Sequence, residues 1–91
     1  MKGMIVYGWG WRVFGHSPPN VRTAKAAKRI VESEEEPVLI FAQRTTAKVL
    51  MEMGVRCHVT EWHPGYEGSE EATRQAAEFF RKMRITEVIP V

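Results

Sequence analysis

Residues that could do chemistry are concentrated in three polar stretches, each of which directly follows an apolar run. The stretches are residues 8–20, 42–46 and 61–69. Their candidate ligand-binding residues are Gly8, Gly10, Arg12, Asn20, Arg44, Glu61 and Ser69. Arginines would hold negative charge, and helices starting at Asn20 and Ser69 would present backbone N–H groups to an anion. Glu61 would accept a hydrogen bond from a hydroxyl or an amine.

The same stretches contain candidate catalytic residues, which are His63, Glu61 and His16. A loop histidine can act as a general acid or base near neutral pH. His63, paired with His16 or Glu61 across a cleft, would suit a hydrolase or a transferase. The chain contains no aspartate, which excludes an aspartyl nucleophile and a Ser-His-Asp triad in its usual form. The residues leave open whether the protein is an enzyme.

Two familiar kinds of site are not expected. The glycines after the first apolar run are spaced G-x-G-x-x-x-x-G, whereas the dinucleotide fingerprint is G-x-G-x-x-G. Cys57 and Glu61 would face one side of a strand and His58 the other, so they cannot converge on one metal. Cys57 is the only cysteine and cannot form an internal disulfide.

Composition narrows the class of protein. The 91 residues suit a single small domain over 1–91. The net charge is +2, and because no acid precedes Glu32 the basic N-terminal third could attract an anion. Glutamate runs argue against a continuous basic stripe, so nucleic acid is not an expected partner. No apolar run is long enough for a membrane span, and we expect a cytoplasmic protein. Plentiful Glu, Lys and Arg with few amides is typical of a thermophile.

Periodicity supplies the elements that must position these residues. Strand-length apolar runs lie at residues 4–7, 37–42, 54–62 and 86–91, and amphipathic helices are predicted at 21–35, 45–53 and 69–83. The order βαβαβαβ predicts an α/β fold, a four-stranded and mostly parallel sheet with helices on its faces, in a Rossmann-like three-layer sandwich. Gly54 suits the position just past a helix end. In such sheets ligands bind at the carboxyl ends of the strands, where all three polar stretches lie. We therefore expect a small anionic or nucleotide-like ligand there, with Asn20 and Ser69 as N-cap residues and Glu61 at the tip of a central strand.

Aromatic residues and the last strand support a different hypothesis. Trp9, Trp11 and Phe14 could stack on a base or sugar, but aromatic residues beside a glycine turn more often cap the end of the sheet or pack at a subunit contact. The apolar run at 86–91 has no helix after it, so a partner covers its edge or the chain is the front part of a larger fold. We predict a homo-oligomer, and a non-catalytic interaction protein is the alternative function.

Several motifs also occur in the order seen in a known family. They are the glycine pair in "IVYGWG", the helix start in "SPPNVRTAKAA", the helix end in "LMEMGV", and Glu61 followed by "SEEA". In this order the chain resembles the YdcF-like family of α/β proteins. It departs from that family at "AQR", where the family has a glycine-rich turn, and at Ala72, where the family has asparagine. The resemblance implies a Rossmann-like domain with a pocket at the strand tips and a nucleotide-like ligand such as S-adenosylmethionine.

Overall fold

The computed structural model describes residues 1–8, 15–61, 68–89 and 91. Within them the strands are β1 (Lys2–Val6), β2 (Val38–Ala42), β3 (His58–Val59) and β4 (Val88–Ile89). The helices are α1 (Pro18–Ser33), α2 (Arg44–Glu52) and α3 (Ser69–Lys82). The predicted alternation of strands and helices is confirmed. Strands β3 and β4 are shorter than the apolar runs indicated.

The sheet is parallel throughout, with the strand order β3-β2-β1-β4. The chain steps from β1 to β2 to β3 in one direction, and α3 then carries it back past β1 to β4. The direction of winding therefore reverses between β1 and β4, and ligands bind in the crevice at such a reversal in open α/β sheets. The predicted α/β fold is confirmed. Because β3 is an edge strand, the expectation that Glu61 follows a central strand is wrong.

Helices α1 and α2 cover one face of the sheet. Met4, Val6 and Ile40 project from the strands on this face and pack with Ala27 of α1 and Leu50 of α2 in one buried cluster. The alternation along β1 and β2 sends the intervening side chains to the other face. Burial of these apolar side chains is the main force that holds the two helices against the sheet.

Helix α3 covers the opposite face. Phe80 of α3 packs edge to face against Phe41 of β2, with ring centroids 6.5 Å apart. Gly3 of β1 allows this packing, because a Cβ at that position would lie 3.0 Å from Phe80 Cε1 and 3.1 Å from Ile85 Cγ2. The result is a three-layer arrangement in which α3 is the one described helix on its side of the sheet.

The helix starts differ from the sequence-based expectation. Helix α1 begins at Pro18 with Ser17 as its N-cap, because proline has a fixed φ and lacks an N–H that the first turn does not use. Asn20 therefore lies inside the first turn, and its expected role as N-cap is wrong. Gly68 is the N-cap of α3, so Ser69 is its first helical residue and the N-cap assignment of Ser69 is also wrong.

Helices α2 and α3 end in the same left-handed turn. Gly54 follows α2 with φ 79°, and Arg84 follows α3 with φ 57°. In both turns two successive N–H groups donate back to carbonyls of the last helical turn. The prediction that Gly54 lies just past a helix end is confirmed. Arg84 makes the same turn with a side chain that disfavours positive φ.

Candidate ligand-binding site

The carboxyl edge of the sheet brings together the residues that follow the first three strands. Tyr7 and Gly8 follow β1, Gln43 follows β2, and Thr60 follows β3. The N–H of Thr60 donates to the carbonyl of Ala42, which continues the pairing of β3 with β2 to the start of α2. Each helix starts at this same edge, because it follows a strand of a parallel sheet.

Gly8 is held against the start of α2. Its N–H donates to Gln43 Oε1 at 2.6 Å, and the N–H of Gln43 donates to the carbonyl of Val6 at 3.0 Å. A side chain at position 8 would collide with Thr45 Oγ1. Glycine is thus required here for the close approach of the chain after β1 to the first turn of α2.

Thr46 joins three elements beneath that contact. Its hydroxyl donates to the carbonyl of Tyr7 at 2.9 Å and lies 3.3 Å from Asn20 Oδ1 as the amide is placed. A threonine hydroxyl has one proton, so the contact with Asn20 is a hydrogen bond when the amide is turned to donate. Asn20 is only 1% exposed. It lies below the surface of the edge, where its contact with Thr46 joins α1 to α2.

The three helix starts differ in what they offer an anion. In α1, Pro18 and Pro19 remove two of the N–H groups that a first turn normally presents. In α3, Glu70 and Glu71 occupy the first turn and would repel an anion. Helix α2 has no acid in its first turn and begins with Arg44, which is exposed and forms no ion pair within the described residues. Its start is therefore the most favourable of the three for negative charge.

A hollow of about 480 Å³ opens between the end of β1 and the start of α3. Tyr7, Ser69, Glu70 and Thr73 line it. The Tyr7 hydroxyl lies 2.6 Å from Thr73 Oγ1, which in turn donates to the carbonyl of Ser69 at 2.7 Å. Ser69 was predicted from the sequence to lie at the site, whereas Tyr7 and Thr73 were not. The four-residue spacing of Ser69 and Thr73 on one helix face was the available signal.

Glu61 is positioned through its backbone. The Gln75 side chain accepts from the N–H of Glu61 at 2.8 Å and donates to its carbonyl at 3.1 Å, as a neighbouring strand would. The carboxylate of Glu61 belongs to an exposed residue. Beside it, Thr60 is 5% exposed, and its hydroxyl has no hydrogen-bond partner among the described residues. That oxygen is itself buried, so it does not face a ligand at the surface of the edge.

His16 was predicted to pair with His63 across a cleft, and it has a different partner in the structure. His16 Nε2 lies 2.7 Å from Glu52 Oε2, at the last residue of α2. This contact gives His16 a partner that the sequence analysis did not foresee. His63, Gly10 and Arg12 lie outside the described residues, as do the aromatic residues at 9, 11 and 14.

A second hollow, of about 590 Å³, lies toward the amino ends of β2 and β3. Leu39, Val55, Cys57 and His58 are among its lining residues. Partial burial raises the pKa of the Cys57 thiol, which keeps the thiol protonated at neutral pH. Across the described part of the chain, no group of three or more His, Cys, Asp or Glu side chains is arranged to hold a metal ion.

Comparison with known proteins gave no significant match to this chain. No protein-family model matches the chain, and neither a curated protein nor a solved structure is significantly similar to it. Within residues 1–8, 15–61 and 68–89, no helix is both long and apolar enough to cross a membrane.

Proposed function

We propose that this protein is a small Rossmann-like domain that binds an anionic, nucleotide-like ligand at the carboxyl edge of its sheet. The observation that carries the proposal is the start of α2. Arg44 is exposed there without an ion-pair partner among the described residues, and the first turn contains no acid. A phosphate group at this position would meet the positive end of the helix and a guanidinium.

The contact of Gly8 with α2 supports this position for the anion. Because Gly8 has no side chain, the backbone after β1 lies directly against Thr45. The Gln43 side chain fixes the Gly8 N–H, so the two segments form one rigid edge. A preorganised edge loses little entropy on binding, which favours affinity.

The rest of the ligand has space beside the anion position. The hollow lined by Tyr7 and Ser69 opens at the same edge, and the Tyr7 hydroxyl offers a polar contact there. This combination of an anion position and a neighbouring hollow suits a nucleotide. The resemblance to the YdcF-like family supports the same class of ligand and adds S-adenosylmethionine, whose carboxylate would take the place of phosphate.

Isothermal titration calorimetry tests the proposal. The probes are adenosine 5′-monophosphate, S-adenosylmethionine and inorganic phosphate, each titrated into the full chain. We expect Arg44→Gln to weaken binding of the anionic probe by about tenfold, because it removes a charge-assisted hydrogen bond at an exposed site. Added salt should also weaken binding.

A matched control distinguishes the loss of a contact at the site from the loss of one positive charge elsewhere in the protein. Arg29 is also exposed and also lacks an ion pair among the described residues, but it lies 11 residues along α1 from Pro18, about 16 Å from that helix start. Arg29→Gln should leave affinity nearly unchanged. Equal weakening by the two substitutions, or no binding of any probe to the unmodified protein, would refute the proposal.

The ligand-binding domain is proposed to be cytoplasmic and to assemble as a homo-oligomer. Among the described residues, strand β4 pairs with β1 alone, and Val88 is 45% exposed on that edge. A second copy that pairs with β4 would bury both its unpaired backbone and this side chain. Light scattering tests the assembly: Val88→Lys should give monomers, and a monomeric unmodified protein at micromolar concentration would rule the oligomer out.

A further inference from the structure

We infer that the hollow beside Tyr7 recognises hydrogen-bond donors and takes the vicinal hydroxyls of a ribose. This inference rests on the proposed function, since it assigns the hollow to the sugar of a nucleotide whose phosphate lies at the start of α2. It adds whether the hollow offers donors or acceptors to a ligand, which follows from counting the protons of the Tyr7 and Thr73 hydroxyls.

The direction of the hydroxyl chain is fixed by its last member. The carbonyl of Ser69 can only accept, so Thr73 must donate its single hydroxyl proton to it. Thr73 Oγ1 then has no proton left for Tyr7. The 2.6 Å contact between the two hydroxyls therefore has Tyr7 as the donor. With its own proton committed, the Tyr7 oxygen can offer a ligand only lone pairs.

A second acceptor lines the same hollow. Glu70 is exposed and forms no ion pair among the described residues, whereas Glu71 is held by Arg74 in a two-pronged ion pair. The Glu70 carboxylate accepts hydrogen bonds only, and its charge opposes a phosphate in the hollow. Ser69 also lines the hollow, and its hydroxyl can either donate or accept. Tyr7 and Glu70 therefore give the hollow an excess of acceptors, and the charge of Glu70 disfavours an anion, while the start of α2 does the reverse.

A ribose matches this pair of acceptors. Its two neighbouring hydroxyls donate from adjacent carbons, so that one can reach a carboxylate while the other reaches a phenolic oxygen. The opposite polarity of the two parts of the edge then orients a nucleotide, with its phosphate at Arg44 and its sugar at Tyr7. Hydrogen bonds to a charged acceptor are the stronger kind, which makes the sugar contact measurable.

The test compares adenosine 5′-monophosphate with its 2′,3′-dideoxy analogue by calorimetry. For the unmodified protein, we expect the dideoxy analogue to bind about tenfold or more weakly, the loss of one or two hydrogen bonds. Tyr7→Phe and Glu70→Gln should each reduce this ratio of dissociation constants. Equal affinities for the two nucleotides would overturn the assignment to ribose.

Substitutions at Thr73 test the direction of the hydroxyl chain. Thr73→Val keeps the shape but releases the Tyr7 proton, so Tyr7 can donate as well as accept and the ratio should fall. Thr73→Ser keeps the hydroxyl chain and should keep the ratio. A ratio that Thr73→Val leaves unchanged would refute the proton count, and thermal melts of each variant confirm that it is folded.

Arg44→Gln distinguishes failure of this inference from failure of the proposed function. It should weaken both nucleotides by the same factor and leave their ratio unchanged. If both nucleotides bind equally and Arg44→Gln weakens both, the proposed function stands and the ribose assignment is wrong. If neither nucleotide binds the unmodified protein, both proposals are wrong.

Discussion

The hydroxyl of Thr46 holds the candidate site together, and Thr46→Val tests this with little change of volume. Thr46 is fully buried, and its hydroxyl donates to the Tyr7 carbonyl at 2.9 Å. Removal of this donor leaves the partly buried Tyr7 carbonyl without its partner, which costs about 1–3 kcal/mol. The Asn20 amide also loses its contact with this hydroxyl. We therefore expect the free energy of unfolding to fall by about 2–3 kcal/mol.

Urea denaturation measures this loss, and the adjacent threonine supplies the control. The Thr45 hydroxyl makes no hydrogen bond among the described residues, so Thr45→Val should change stability by less than about 0.5 kcal/mol. In a chain of this length, about 2 kcal/mol corresponds to a fall in Tm of roughly 8–16 °C. The two variants should keep the same dependence on urea as the unmodified protein. If the Thr46→Val and Thr45→Val variants unfold at the same urea concentration, the Thr46 hydroxyl does not hold the chain after β1 in place.

Three further predictions concern the ends of elements and the cysteine. Arg84→Gly should raise the free energy of unfolding by about 0.5–1 kcal/mol because glycine adopts positive φ freely, and Gly54→Ala should lower it by about 1 kcal/mol, both measured in urea. Gln75→Leu removes both bonds to the Glu61 backbone, so hydrogen exchange of the Glu61 amide should accelerate, and unchanged exchange would contradict that role. Because burial raises the pKa of Cys57, its alkylation should be slower than that of a free thiol at mildly alkaline pH and should catch up as pH rises. The free energy of unfolding should fall as pH rises from the unfolded to the folded pKa of this thiol, and Cys57→Ser should abolish that part of the pH dependence.

The opposite charge preferences of the three helix starts have a consequence for ligand orientation. Two prolines weaken the first turn of α1 as an anion site, and two glutamates disfavour an anion at α3. Among the described helices, only α2 begins with a basic residue, Arg44, and has neither proline nor acid in its first turn. A ligand with charge at one end would therefore bind in one direction along the carboxyl edge.

The sequence by itself determined the order of elements and the fold class. Period-two and period-3.6 patterns depend on which side chains are apolar, and these are local properties of the chain. Gly54 was predicted for the same reason, because a left-handed turn at a helix end strongly favours glycine. The prolines at 18 and 19 misled the prediction, since proline both ends helices and starts them. Only the local φ of the first turn distinguishes the two cases.

Only the tertiary structure decided the strand order and the contacts of the site. Tyr7 and Thr73 are 66 residues apart in sequence, and Gly8 and Gln43 are 35 apart. Such pairs form because the crossovers place β1 between β2 and β4 and bring α3 back over it. Nothing in the local pattern of either segment encodes its partner, because a hydroxyl or an amide pairs equally well with many others. The packing of the layers, set by apolar burial over the whole sheet, selects which of them meet.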